Sequence, residues 1–254
     1  MRGELRKATG SGGQAAADIL TVAVPTGRLF AESVSLLRRV GVLGAAPEAF
    51  DPPQERSLVL LAATGRILVV KPADIPVYVE HGAADAGIVG RDVLLEQGRD
   101  VYELVDLGFG SCRGVVAVRQ GEEDAWPRGR TVRVATKYPR IAARYCERRG
   151  WPAEIIALNG AVELAPRVGL ADAILDVVVT GRTLRDNLLV EVAEVFRSTA
   201  RLVVNRASLR TKEAAVRRLI ATVEGLKELP ADEASGVAGG KPLPPAVRSE
   251  SRDG

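Results

Sequence analysis

The chain has 254 residues, 46% of them hydrophobic, enough to bury one large or two modest cores. Its 35 basic and 32 acidic residues leave a formal net charge of +3, too even a balance for a nucleic-acid binder, so affinity for anions has to come from local clustering. The two cysteines, Cys112 and Cys146, fall in no CxxC or Cys/His grouping, which argues against a disulfide framework or a structural zinc and for free thiols in a reducing cytoplasm.

Residues 1–18 are rich in Gly, Ala, Ser and charge, lack the apolar stretch of a secretory signal, and are expected to be a disordered tail. No run approaches the ~18 apolar residues of a membrane span, so no membrane association is expected. Order begins at residues 19–24, an apolar run of strand length cut off by Pro25 and Gly27, which reads as a buried parallel strand. Leu29, Val34, Leu36, Leu37 and Val40 then recur at helical spacing until Gly41. Residues 58–63 and 66–70 are apolar runs joined by Thr64-Gly65, a predicted hairpin or pair of short strands, and residues 75–82 a predicted short helix.

Residues 82–94 carry an Ala-Asp-Ala step into an apolar strand, and a similar phrase returns at residues 169–184. The repetition suggests two α/β lobes built alike, with chance similarity the alternative. Between the phrases, residues 115–118, 131–135 and 155–158 read as strands and 138–149 as an amphipathic helix stopped by Gly150. Residues 200–205 read as a strand returning to the first lobe and 212–229 as a closing helix, with 230–254 a disordered tail. Lobe I is thus expected over 19–106 with 195–229, and lobe II over 107–194. Each lobe is expected to hold a parallel sheet, with ligands in the cleft between them, where loops leave the carboxyl ends of the strands.

The sharpest chemical signal is the apolar strand over residues 173–179 running into Thr180-Gly181-Arg182-Thr183-Leu184. A glycine turn, backbone N–H groups at a helix start and two hydroxyls converge there, which favours a phosphate. Asp176 on the same strand suits a sugar diol, although in isolation Thr180 can equally cap a helix and Asp176 simply end a strand. The turn Pro25-Thr26-Gly27-Arg28, with Arg56, Arg66 and Lys71 in neighbouring loops, offers a cationic wall for a pyrophosphate or triphosphate. His81, the only histidine, is read as a helix-end residue without chemistry. There is no GxSxG elbow, Walker loop or HExxH helix.

Six phrases, at residues 24–29 (VPTGRL), 74–85 (DIPVYVEHGAAD), 101–108 (VYELVDLG), 135–139 (ATKYP), 159–166 (NGAVELAP) and 180–184 (TGRTL), together resemble the ATP phosphoribosyltransferase family in order and spacing. The resemblance implies two lobes like those of type II periplasmic binding proteins, with the active site in the cleft between them. It implies a Mg²⁺-assisted displacement in which N1 of ATP attacks C1 of the phosphoribosyl group of phosphoribosyl pyrophosphate and pyrophosphate leaves, the first step of histidine biosynthesis.

Carried over residue by residue, the resemblance makes Arg28 and Arg56 the catalytic side chains that meet the phosphates. Thr26, Glu163, Asp176, Thr180, Gly181, Arg182, Thr183 and Leu184 become substrate-binding, Lys71 joins them from the cationic wall, and Mg²⁺ is expected through the substrate phosphates without a protein metal cage. Many members carry Lys where Thr26 stands, and Arg182 is a candidate to replace that charge. The length matches the family's short form, whose partner is a regulatory subunit resembling histidyl-tRNA synthetase, so a homo- or hetero-oligomer is implied. The competing reading is a non-catalytic binding module of the same fold for an anionic ligand; a third, a catalytically dead partner of an active paralogue, rests on Thr26 alone.

Overall fold

The computed structural model describes residues 19–42, 59–62, 65–127 and 131–228; the two expected tails and Arg56 lie outside the described residues. Strand β1 (Leu20–Pro25) is buried at every position, and β2 (Val59–Ala62) and β3 (Gly65–Val70) form the expected hairpin beside it. Helix α1 (Phe30–Arg39) buries Phe30, Val34 and Leu37, three positions on one stripe. After α2 (Ile75–Glu80) come β4 (Ala86–Gly90), α3 (Arg91–Gln97) and β5 (Tyr102–Asp106). The chain then crosses into the second lobe as β6 (Cys112–Arg119), β7 (Val132–Thr136), α4 (Pro139–Arg149), β8 (Ala153–Ala157), β9 (Ala173–Val178), α5 (Arg182–Asp186) and β10 (Leu189–Ser198). It returns as β11 (Ala200–Val204) and closes with α6 (Ser208–Thr211) and α7 (Glu213–Glu228).

Two sheets result, ordered β2-β3-β1-β4-β11-β5 and β10-β6-β9-β7-β8. Each is mixed, which corrects the expectation of parallel sheets. Strands β3, β1 and β4 run parallel, as do β8, β7 and β9, but β11 and β6 pair antiparallel with β4 and β9. The cause is connectivity: a strand that crosses from one lobe enters the other at its cleft end and has to run against the strands that point toward the cleft. The expected lobe boundary at residue 195 also moves. Strand β10 pairs with β6 from Leu189↔Arg119 to Ser198↔Cys112, so the second lobe keeps the chain through Ser198.

The repeated Ala-Asp-Ala phrase has a structural counterpart in both lobes. The Asp85 N–H donates to Thr21 O at 2.8 Å, and its carboxylate accepts the Thr21 N–H at 2.8 Å. The Asp172 N–H likewise donates to Arg133 O at 2.8 Å, and its carboxylate accepts the Arg133 N–H at 2.8 Å. Each aspartate thereby locks the entry of a central strand to its parallel neighbour, and each also takes a cation, Lys212 at 2.8 Å and Arg133 at 3.2 Å.

Apolar residues cover both faces of both sheets. Val22, Val24, Ile67, Ile88 and Leu202 face α1 and α7, while Ala23, Val70, Val89 and Val203 face α2. In the second lobe, Val134, Leu175 and Ala173 pack on Ile141 and Tyr145 of α4, and Val115, Ile174 and Val178 on Val162 and Leu184. With both faces buried, only the strand ends and the loops after them are left to meet a ligand. No helix among the described residues is long and apolar enough to cross a membrane.

Candidate active site

The carboxyl ends of β1, β3 and β4 in one lobe and of β7 and β9 in the other converge on two adjoining cavities. The larger, about 510 Å³, is lined by Thr26, Arg28 and Lys71 after β1 and β3, by Gly90 and Asp92 at the start of α3 and Glu96 near its end, and by Lys137, Tyr138 and Asn159 from the second lobe. The smaller, about 190 Å³, is walled by Glu163, Asp176 and residues 177–184. Val177 lines both, so the two chambers meet at the end of β9.

Asp176 sits in the smaller chamber, 7% exposed, with one Oδ accepting its neighbour's Val177 N–H at 2.8 Å. Burial pushes its carboxyl above the usual aspartate range, and the negative charges of Glu163 and Asp92 add to that; the Val177 N–H and the charge of Lys137 oppose it. A carboxylate so placed gains from any donor a ligand brings. Beyond it the chain turns through Gly181, whose φ of 72° is in the left-handed region that a β-carbon disfavours. The Arg182 N–H reaches Thr180 Oγ1 at 3.4 Å, and Arg185 folds back to donate to Thr180 O at 3.2 Å. The first N–H groups of α5 have no partners within the helix and face this loop.

The side chains of the loop divide by role. Thr180 and Thr183 are exposed toward the chamber's mouth, whereas Leu184 is buried in the lobe core and anchors the loop, leaving its backbone to meet a ligand. Arg182 is 83% exposed and pairs with Asp186 at 3.6 Å. In the larger chamber, Thr26 does not stand without cations around it: Arg28, Lys71 and Lys137 line the same cavity. Arg28 spans to the crossing segment between the lobes, donating to Gly110 O at 2.6 Å and to Cys112 Sγ at 3.6 Å. Burial raises the Cys112 thiol above its ordinary range, with Asp92 adding and Arg28 opposing.

Arg66 does not join this wall. It pairs in register with Thr21 near the start of β1, while the cleft lies at the other end, where Pro25 pairs with Val70. His81 is 70% exposed beside Glu80 at 3.8 Å.

Residues without an assigned role in the sequence complete the site. Buried Asp92 accepts the Tyr138 hydroxyl at 2.9 Å from the other lobe and the Ser198 hydroxyl at 2.8 Å from the end of β10, while its own N–H donates to Ser198 Oγ at 3.0 Å. Burial, then the charge of Asp92 and the hydrogen bond to it, drive the Tyr138 phenol far above its ordinary range, so it remains a donor. Gly90 makes room for this carboxylate, since a β-carbon there would lie 2.2 Å from Asp92 Oδ1. The phrases at 82–94 and 135–139 carried Gly90, Asp92 and Tyr138, but contacts 46 and 106 positions apart leave no local signal.

Among the described residues no group of three or more His, Cys, Asp or Glu side chains is placed to hold a metal ion alone. The arrangement suits a ligand with one anionic end and a sugar in the small chamber and a larger polyanionic group against Arg28, Lys71 and Lys137.

The chain is similar to known proteins in sequence and in fold. A family profile described as ATP phosphoribosyltransferase matches residues 71–225. The ATP phosphoribosyltransferase of Moorella thermoacetica is 51% identical over 221 residues, covering 83% of this chain and 92% of that protein. Among solved structures, the ATP phosphoribosyl transferase (HisG:HisZ) complex from Thermotoga maritima contains a chain that is 36% identical, with a TM-score of 0.71 and coverage of 83% of this chain and 98% of that one. At the level of fold alone, the BvgS VFT2 domain of Bordetella pertussis superposes with a TM-score of 0.54 at 14% identity, covering 87% of this chain and 91% of that one.

Proposed function

The chain belongs to the ATP phosphoribosyltransferase family, and from that membership we propose how its cleft is used. The protein transfers the phosphoribosyl group of phosphoribosyl pyrophosphate to N1 of ATP, giving phosphoribosyl-ATP and pyrophosphate, the first step of histidine biosynthesis. Its fold is the two-lobed type II periplasmic-binding-protein kind.

In our reading the 190 Å³ chamber takes the phosphoribosyl group, its phosphate on the backbone of 180–184 and its diol on Asp176, with Glu163 beside it. ATP occupies the 510 Å³ chamber, and pyrophosphate leaves along Arg28 and Lys71. Meeting of the chambers at Val177 is the observation that carries this reading, because it brings the sugar carbon of one ligand and the base of the other together at a single strand end.

Adenine N1 is already nucleophilic, so the protein chiefly aligns two ligands and stabilises charge on the departing diphosphate. Mg²⁺ is proposed to arrive on the substrate phosphates, where it would neutralise charge on the leaving group, with the Asp176 and Glu163 carboxylates of the small chamber the residues that would meet it. Arg56 is proposed to act with Arg28 on the phosphates, and Thr26 to contribute a hydroxyl to the same wall.

The Thermotoga protein's occurrence as a two-component complex supports a regulatory subunit for this chain as well, and the two free thiols among the described residues suit a cytoplasmic setting. The test is titration of phosphoribosyl pyrophosphate into the wild type, Asp176→Asn and Gly181→Ala. Weakening of roughly ten-fold or more in both variants, with ATP binding kept, is expected; equal affinity in all three would remove the donor from this chamber.

A further inference from the structure

Helix α4 begins at the cleft, and the partners of its first N–H groups come from two lobes. A helix start leaves four such groups without intrahelical acceptors. Here the Tyr138 N–H donates to Thr136 Oγ1 at 2.8 Å, and Pro139 has no N–H. The remaining two, of Arg140 and Ile141, donate to the two carboxylate oxygens of Glu96 at 2.9 and 3.0 Å, and Glu96 belongs to α3 of the other lobe. Arg140 returns the contact, its guanidinium donating to Gln97 O at the carboxyl end of α3. A carboxylate thus meets the positive end of one helix and a guanidinium the negative end of the other, which favours both contacts. Both form only at this relative position of the lobes, and Asp92 with Tyr138 adds a third bridge within one turn of each.

We infer that Glu96 and Arg140 clasp the lobes in the orientation that assembles the ATP chamber, making them positioning residues for the transfer. The inference rests on the ATP assignment above, because Asp92 and Glu96 form one wall of that chamber while Lys137 and Tyr138 face them from the other lobe. Without the clasp, the two N–H groups of α4 are satisfied by water in an open form, so the competent arrangement is only part of the population. Apparent affinity falls by that fraction, whereas turnover at saturation, where ligand itself closes the lobes, is retained.

The test uses the full chain carrying spin labels at Glu32→Cys and Arg148→Cys, exposed sites on different lobes, with labelled chain diluted into unlabelled chain. Glu96→Ala is expected to lengthen the label distance, to raise KM for ATP by roughly ten-fold and to leave kcat within about two-fold, with ATP restoring the distance. Glu96→Gln, which keeps one acceptor, should fall between it and wild type, and Arg140→Met supplies a second route should Glu96→Ala fold poorly. Glu80→Gln is the control: Glu80 makes the same kinds of bond, to the Asp100 N–H and the Arg99 guanidinium, but within one lobe, so distance and KM should not move. An unchanged distance in Glu96→Ala overturns the clasp, including the case where KM rises because Glu96 touches substrate. A longer distance with KM for ATP unchanged instead removes ATP from this chamber, and with it the positioning role.

Discussion

Replacing Asp176 with Asn separates what this carboxylate does for the reaction from what it does to the fold. Its carboxyl is 7% exposed and titrates above the usual aspartate range, chiefly through burial. A group whose folded pKa is raised binds its proton more tightly in the native state, so stability is greatest below the unfolded value, about 4, and is lost as pH rises through the folded one. Above the unfolded value the carboxyl therefore costs the folded protein stability, and the amide, which cannot ionise, relieves this. Relief of a destabilised functional group typically gains on the order of 1 kcal/mol, or roughly 2–4 °C in Tm for a chain of this size. The same change removes the charge-assisted hydrogen bonds proposed between Asp176 and a ribose diol, each worth about 1.5–3 kcal/mol, so kcat/KM should fall by roughly ten- to a hundred-fold or more. Thermal unfolding between about pH 4 and 8, with the ultraviolet absorbance of the adduct as the rate assay, reads both. A variant less stable than wild type at neutral pH, a stability difference that does not grow with pH, or unaltered kcat/KM would each refute the reasoning.

Gly90→Ala places a methyl group 2.2 Å from Asp92 Oδ1 while leaving the backbone unstrained, so the carboxylate must leave Ser198 and Tyr138. A loss of about 1–3 kcal/mol by denaturant unfolding is expected, reduced when Asp92→Ala is already present. Asp85→Ala takes the acceptor from the buried Thr21 N–H and Ser208 hydroxyl and from half-buried Lys212 and should cost about 2–4 kcal/mol, whereas Asp172→Ala, whose Arg133 partner is 41% exposed, should cost less. Equal losses would mean that the two repeats do not differ in burial as described. Arg28→Ala, which removes a cation from the larger chamber and the bond to Gly110, should lower turnover by roughly ten- to a thousand-fold, measured in the steady state. Unchanged kinetics would take Arg28 out of the mechanism.

Much of this protein is written in short-range pattern. The β1 run, the β2–β3 hairpin, the stripe on α1, the Ala-Asp-Ala repeat and the turn at Thr180-Gly181 are set by residues within about ten positions of one another, and each is where the pattern puts it. The glycine turn over 180–184 and Asp176 beside it were legible for the same reason. Strand β10 was not assigned, because its ladder with β6 contains two register shifts that break the alternation a half-buried strand otherwise shows.

What only the folded chain decides is everything that crosses the cleft. Arg66, a cation like any other in sequence, faces the wrong end of its sheet because strand polarity and register place it beside Thr21. Asp92 becomes a junction of two lobes, and Glu96 the cap of a helix 44 residues away, only once both strands of the crossing are in place. A local pattern states which side chains share a face. Which faces then meet is set by chain closure and by the need of each buried polar group for a partner, and these are properties of the whole molecule.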